Sequence, residues 1–257
     1  MHFSIGVFLI GLFVGYVSGL FGKGGSAIAT PLLQLIGVPP FFAIVSPLPA
    51  TIPGTLVASI AYFKSGFYDK GVVLCGILAG VPSTVLGAWL SKFIKGGPLL
   101  IASNLILIGL GISFLLHKQP EPVNGPEQTE RKPANQKLAI AVAIFVGLIS
   151  GMLANSGGFL LAPLYNKILK LPLKSAFACS LLVSAALALP GTLVHVLLGH
   201  VDWSLVLTFG LGSVPLAYLG ARTSIRMTVE RLELAFGFML VLIGLWATVE
   251  AAYHFTG

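Results

Sequence analysis

Two short glycine-rich turns contain the residues whose types and spacing best suit ligand binding. The first is Gly-Lys-Gly-Gly-Ser at residues 22–26, and the second is Asn-Ser-Gly-Gly at residues 155–158. An apolar run follows each turn, so each is predicted to begin a helix. The first N–H groups of a helix favour an anion, because they lack partners within the helix and lie at its positive end. Since glycine lets an anion approach closely, the spacing predicts anion binding, with close helix packing as the alternative.

Lys23 is the charged residue of the first turn. A lysine at the bilayer centre costs roughly 2.5–3.5 kcal/mol or more unless it is paired or hydrated. Neither turn contains Asp or Glu, so an anionic substrate is its natural partner. The alternative is that its side chain extends to the cytoplasmic interface. The predicted binding residues of the turns are Lys23, Gly24, Gly25, Asn155, Ser156, Gly157 and Gly158.

Hydroxyl residues upstream of Pro53 and Pro190 form a second predicted set. They are Ser46, Thr51, Ser180 and Ser184. Proline suits the first turn of a helix, so each Pro-Gly-Thr is predicted to begin a further half-helix directed at the site. For each hydroxyl, the alternative is a hydrogen bond back to a carbonyl of its own helix.

His195 lies within an apolar run and is the candidate for carrying a coupling proton, since imidazole titrates near neutral pH. Its alternative role is a hydrogen bond between helices. A phosphate-binding loop is excluded, because Val17 replaces the first glycine of that motif and Gly24 replaces the Ser or Thr after its lysine. We predict no catalytic residue, metal or cofactor, and no buried carboxylate stands out as a proton or sodium site.

The composition is that of a membrane protein. Only 9 % of the 257 residues are charged and 56 % are apolar, whereas a soluble domain carries about 25 % charged residues. A soluble enzyme, a nucleic-acid binder and a disordered scaffold are therefore excluded. We predict an all-α polytopic membrane protein in which the net charge of +7 reflects topology.

A polar stretch at 117–137 divides the chain into two transmembrane repeats, at 1–116 and 138–257. Residues 15–31 and 147–163 share Ser-Gly, Gly and Pro at a constant offset of 132. We predict 8–10 transmembrane helices, some short or broken. The apolar segments are 3–22, 25–37, 39–63, 71–91 and 98–116 in the first half, and 138–154, 157–169, 172–198, 203–221 and 232–253 in the second.

The lysines and arginines favour a topology in which all segments cross the membrane. That arrangement puts 13 of them on one side and 2 on the other, with the linker cytoplasmic. Five segments per half is an odd number, so the two halves are predicted to be inverted repeats. Inversion would make the two glycine turns enter from opposite faces and converge inside the membrane.

With a proline six residues after Gly25 and again six after Gly157, the duplicated turn resembles the sulfite exporter TauE/SafE family. The resemblance covers nearly the whole chain. It implies a multi-pass protein of the bacterial or archaeal inner membrane that transports sulfite, thiosulfate or organosulfonates. Members often carry glycines where this chain has Lys23 and Asn155-Ser156, which leaves the substrate open.

The sequence thus predicts a secondary transporter rather than an enzyme, with alternating access about the two turns. Its expected partners are a small anion and the lipid bilayer, without nucleic acid. Coupling to protons or sodium, and a monomer or a homodimer, are left open. The alternatives are an anion channel and an intramembrane hydrolase that uses Ser156 with His195.

Overall fold

The computed structural model describes residues 2–22, 25–90, 96–116, 135–153, 156–197 and 201–256. Three predicted binding residues, Lys23, Gly24 and Asn155, lie outside these ranges, as does most of the predicted linker. Within them the chain forms eleven helices and no strand, which confirms the all-helical class.

Each predicted apolar segment corresponds to a helix or a pair of helices. In the first half these are α1 (His2–Phe21), α2 (Ser26–Leu35), α3 (Pro40–Val45), α4 (Pro47–Lys64), α5 (Lys70–Leu90) and α6 (Gly96–Leu116). In the second half they are α7 (Gln136–Met152), α8 (Gly158–Lys167), α9 (Leu173–Leu197), α10 (Trp203–Arg226) and α11 (Val229–Thr256). Four described stretches are long and apolar enough to cross a membrane: Phe41–Lys64, Lys70–Leu90, Leu173–Leu197 and Trp203–Arg226.

Two helices, α2 and α8, are far too short to cross a membrane alone. Each has ten residues, or about 15 Å at 1.5 Å per residue, against about 30 Å of hydrocarbon. Gly157 precedes α8 with a φ of +67°, a left-handed conformation that glycine adopts without strain. The glycine in the second turn therefore fixes where α8 begins.

The half-helices predicted to begin at Pro53 and Pro190 are wrong. α4 continues through Pro53 and α9 through Pro190. Membrane helices tolerate proline where neighbouring groups supply hydrogen bonds. In α4, the Thr51 hydroxyl donates to the Leu48 carbonyl at 2.8 Å, and the Thr55 hydroxyl donates to the Thr51 carbonyl at 3.0 Å.

The break in this segment lies earlier, at Ser46, between α3 and α4. Pro47 is the first residue of α4, where its missing N–H costs no hydrogen bond and its fixed φ suits the helix. A break at Ser46-Pro47 is one that the prolines of this segment predict, and the structure confirms it, whereas the break predicted at Pro53 is absent.

Glycine rows pack α1 against α10 and α5 against α7. A Cβ at Gly15 would overlap the carbonyl of Ser213, and one at Gly19 would overlap that of Ala217. In the second pair, a Cβ at Gly151 would overlap the carbonyl of Thr84. In each pair, the residue numbers of the contacting positions increase in the same direction along both helices, so the two helices are parallel. Only residues without a side chain permit this backbone contact.

A cluster of four phenylalanines packs at the end of α1. Its members are Phe21, Phe114, Phe177 and Phe236, and all are buried. Phe236 lies at the centre, with its ring centroid 4.9 to 5.6 Å from those of the other three. Aromatic pairs at such distances add to the stabilisation from burial. This phenylalanine cluster ties the ends of α1 and α6 to α9 and α11.

Candidate functional site

The two glycine turns meet at a pair of serines. Ser26 is the first residue of α2. Ser156 precedes Gly157, the residue just before α8. Their hydroxyl oxygens are 3.1 Å apart, and the N–H of Ser156 donates to Oγ of Ser26 at 3.2 Å. Both residues are 2 % exposed. α2 and α8 therefore begin at one point in the protein interior, which we call the serine junction.

From the serine junction the two short helices run to opposite ends of α1. Ile36, just beyond α2, lies beside Gly6 near the start of α1. Lys167, the last residue of α8, has its Nζ 4.3 Å from the ring centroid of Phe114, in the phenylalanine cluster at the other end of α1. Two ten-residue helices placed N-terminus to N-terminus extend over about 30 Å, the thickness of the hydrocarbon core. The junction lies halfway along that length.

A small pocket lined by hydroxyls lies beside the start of α2. Gly25 forms part of its wall, and four hydroxyl residues from three helices line it: Ser18 of α1, Thr51 and Thr55 of α4, and Ser213 of α10. All four are at most 5 % exposed. The free space is about 10 Å³, enough for about one water molecule. This hydroxyl pocket is too small in this arrangement for an anion with several oxygens.

Of the two predicted serines of α9, Ser180 contacts the first turn and Ser184 bonds within its own helix. The Ser180 hydroxyl bonds to the carbonyl of Gly22 and, at 3.0 Å, to that of Phe177. The Ser184 hydroxyl donates to the carbonyl of Ser180 at 2.6 Å. Ser180 therefore fastens the first turn to α9. Ser184, like Thr51, makes the alternative bond to its own helix.

Ser46 and His195 lie elsewhere. The Ser46 hydroxyl accepts a hydrogen bond from the N–H of Asp202 at 3.3 Å, at the start of α10 rather than at the turns. Leu187 of α9 lies beside Gly157. His195 follows Leu187 by eight residues, or about 12 Å along the helix. That separation argues against a dyad of Ser156 with His195, which the hydrolase alternative would require.

Gly25 and Gly157 have matching surroundings. A Cβ at Gly25 would meet the side chains of Val14, Ser18 and Thr51. A Cβ at Gly157 would meet those of Val146, Ser150 and Leu187. The valines and the serines differ in number by 132, the offset of the two matched motifs. Leu187 takes the position that Thr51 occupies in the first half.

The sequence as a whole matches a known family. The family model described as sulfite exporter TauE/SafE matches residues 7–247. The chain belongs to the TauE/SafE family. The matched region of this TauE/SafE protein contains both glycine turns. It leaves out the first residues of α1 and the last residues of α11.

Relatives of this TauE/SafE protein match it along nearly their whole length. The probable membrane transporter protein YunE of Bacillus subtilis is 26 % identical over 269 residues, which cover 95 % of this chain and 97 % of the relative. A probable membrane transporter protein of Xylella fastidiosa is 28 % identical over 248 residues, which cover 93 % and 94 %. One of Methanocaldococcus jannaschii is 22 % identical over 254 residues, which cover 93 % and 92 %.

Sequence reasoning missed two features of this TauE/SafE protein. The sequence places Ser26 in the first turn but does not predict it as a binding residue. In the structure its hydroxyl contacts Ser156 of the second turn. Glu233 was also missed, because it stands at the start of an apolar segment. It is 5 % exposed and lies within electrostatic reach of Lys167. The expectation that no buried carboxylate stands out is therefore wrong.

Proposed function

We propose that this TauE/SafE protein is a secondary transporter that moves a small sulfur-containing anion across the cytoplasmic membrane by alternating access. The substrate class is sulfite, thiosulfate or an organosulfonate. The observation that carries the proposal is the serine junction, where two helix N-termini meet in the buried interior. Their dipoles both present a positive end there, and water-excluded surroundings strengthen their attraction for an anion. The family description supports a sulfur-containing anion, and the names of the relatives support membrane transport.

In this proposal the anion binds where α2 and α8 begin. Lys23 supplies a full positive charge, and the backbone N–H groups of Gly24, Gly25, Gly157 and Gly158 donate hydrogen bonds. Asn155 and Ser156 donate from their side chains. Because Ser26 and Ser156 are in direct contact and both are 2 % exposed, the anion enters only when the two turns separate.

The halves 1–116 and 138–257 act as inverted repeats in this proposal. Four observations support the inversion: the repeated motifs, the matching surroundings of Gly25 and Gly157, the opposite directions of α2 and α8, and the exchange of helix pairs. α7 is the equivalent of α1 in the other half, and α5 is the equivalent of α10. The parallel α1–α10 pair therefore corresponds to the parallel α5–α7 pair. Inverted repeats of this kind place the substrate site at their interface.

The bodies that move are two mixed bundles rather than the two halves. One consists of α1, α2, α4 and α10, and the other of α5, α7, α8 and α9. Glycine-to-backbone contacts hold α1 to α10 in one bundle and α5 to α7 in the other. Across the boundary, Ser26 bonds to Ser156, Ser180 bonds to the Gly22 carbonyl, and α4 packs against α9. The two neutral hydrogen bonds contribute only about 0.5–1.5 kcal/mol each, so the packing of α4 on α9 is the main contact that a movement between the bundles would change.

Flux measurements in proteoliposomes test the proposal. Vesicles preloaded with unlabelled sulfite, thiosulfate or taurine should take up the radiolabelled anion by counterflow, and the initial rate should saturate with concentration. A channel would instead pass a current that follows the voltage, without counterflow. Failure of the whole sulfur-anion panel would overturn the substrate class, and current without counterflow would overturn the mechanism.

A further inference from the structure

A second pocket, distinct from the serine junction, lies where α4 and α10 end. Its volume is about 310 Å³. Lys64 of α4 and both Arg222 and Arg226 of α10 line it, together with Tyr218 and Ser65, and no carboxylate is among its lining residues. We call this the basic pocket. Three cations converge on one space without a described acidic partner.

The basic pocket is separated from the hydroxyl pocket along the same pair of helices. The two pockets share no lining residue, and on α4 six residues, or about 9 Å, separate Thr55 of the hydroxyl pocket from Ala61 of the basic pocket. Tyr62 follows Ala61 and is fully buried. Its hydroxyl donates to the carbonyl of Gly19 at 3.1 Å, which ties α4 to α1 at this level. The basic pocket is therefore a site of its own, open at the protein surface.

Membrane topology explains why cations lie on this side, but not why they converge. The positive-inside rule needs lysines and arginines near helix ends, in any orientation. Here Arg222 and Arg226 are one turn apart on α10, and Lys64 comes from a different helix. The Arg222 guanidinium also lies 5.8 Å from the ring centroid of Tyr218. Cations that repel one another across a shared pocket are stabilised when an anion occupies it.

We propose that the basic pocket binds an oxyanion of the phosphate type. Guanidinium groups donate two parallel hydrogen bonds to such a group, and the Tyr218 side chain adds a hydroxyl to the lining. The Ser65 hydroxyl donates to the Ala61 carbonyl at 3.1 Å. The volume suits a small molecule or a lipid headgroup. Basic pockets between membrane helices on the cytoplasmic side bind anionic headgroups. The ligand is therefore the phosphate of an anionic phospholipid or a soluble oxyanion, and this site does not depend on the transport proposal.

Two binding measurements on the full chain distinguish these sources. In the first, delipidated protein in neutral detergent is titrated with inorganic phosphate by calorimetry. In the second, the protein is placed in phosphatidylcholine vesicles with increasing phosphatidylglycerol, and retained lipid is measured by native mass spectrometry. Phosphate binding identifies a soluble ligand, and retention of phosphatidylglycerol alone identifies a headgroup.

The variants test whether binding belongs to this pocket. R222Q/R226Q should weaken binding by at least about tenfold, because it removes charge-assisted hydrogen bonds. K64Q should weaken it too, since the second helix contributes to the same site. R231Q removes an exposed cation outside the pocket and should change binding by no more than about twofold. Thermal unfolding of each variant checks its folding. Absence of binding to both probes, or equal losses in R231Q and R222Q/R226Q, would overturn the proposal.

Discussion

The serine junction supports a double-mutant cycle whose outcome follows from its geometry. The Ser26 hydroxyl has two partners, the N–H and the hydroxyl of Ser156. Ser26→Ala leaves that buried N–H without its acceptor, which costs about 1–3 kcal/mol. Ser156→Ala loses only the hydroxyl pair and keeps the backbone bond, so about 0.5–1.5 kcal/mol is expected. The change at Ser26 should therefore be the more harmful one.

The double variant isolates the contact between the hydroxyls. Both single changes remove the same hydroxyl–hydroxyl bond, so the double variant should be less destabilised than the sum of the singles, by about 0.5–1.5 kcal/mol. The assay is reversible unfolding in mixed micelles, followed by circular dichroism. Ser204→Ala is the matched control, since this serine is exposed in the first turn of α10. It should stay within about 0.5 kcal/mol of the wild type.

Additive effects at the serine junction would refute the reasoning. If the free energies of the single variants summed to that of the double variant, the two hydroxyls would not be in contact. The two short helices would then not begin at one point, and the proposed anion site would lose its geometric basis. A larger loss in Ser156→Ala than in Ser26→Ala would contradict the assignment of Ser26 as the shared acceptor.

Three further predictions concern packing, binding and coupling. Gly15→Ala should lower the midpoint of thermal unfolding, because overpacking costs about 1–3 kcal/mol. Gly109→Ala, where a Cβ meets nothing within 4 Å, should leave that midpoint unchanged or raise it; equal shifts would contradict the glycine-packed contact. Lys23→Ala should weaken anion affinity at least tenfold, about 1.4 kcal/mol, as measured by ligand-induced thermal stabilisation. An unchanged affinity would assign Lys23 to the interface. His195→Gln, at the candidate coupling residue, should abolish the dependence of flux on a pH gradient while counterflow persists, with Glu233→Gln as the comparison. If only Glu233→Gln has this effect, the buried carboxylate is the coupling residue and not His195.

The sequence predicts the helices well because their signal is local. Apolar runs bounded by polar or glycine-rich turns give most helices to within about five residues. The short second segments, predicted at 25–37 and 157–169, contain the ten-residue helices α2 and α8. The prediction that the two turns meet depends on the predicted inverted duplication, and the contact of Ser26 with Ser156 agrees with it. These inferences need only composition, spacing and counting.

The errors arise where tertiary contacts decide the outcome. Pro53 and Pro190 would break an isolated helix, but in α4 and α9 the surrounding structure allows the helix to continue. The Ser46 hydroxyl accepts a hydrogen bond at the start of α10. The spacing of residues within one segment does not reveal such a contact. Glu233 is buried on α11, which packs against α6, and the sequence alone does not reveal that pairing. Such positions depend on which helices become neighbours, and that information is not local.

The parallel pairing of α1 with α10 also has a consequence for how the chain is made. Gly15 and its contact at Ser213 are separated by roughly 200 residues, and ribosomes add about 5–20 residues per second. α1 therefore spends about 10–40 s in the membrane before the helix that fits its glycines has been synthesised. During that interval the face of α1 that carries Gly15 and Gly19 does not yet contact α10. Because α10 completes the packing surface of α1, and α5 waits in the same way for α7, neither half reaches its final structure before the other has been inserted.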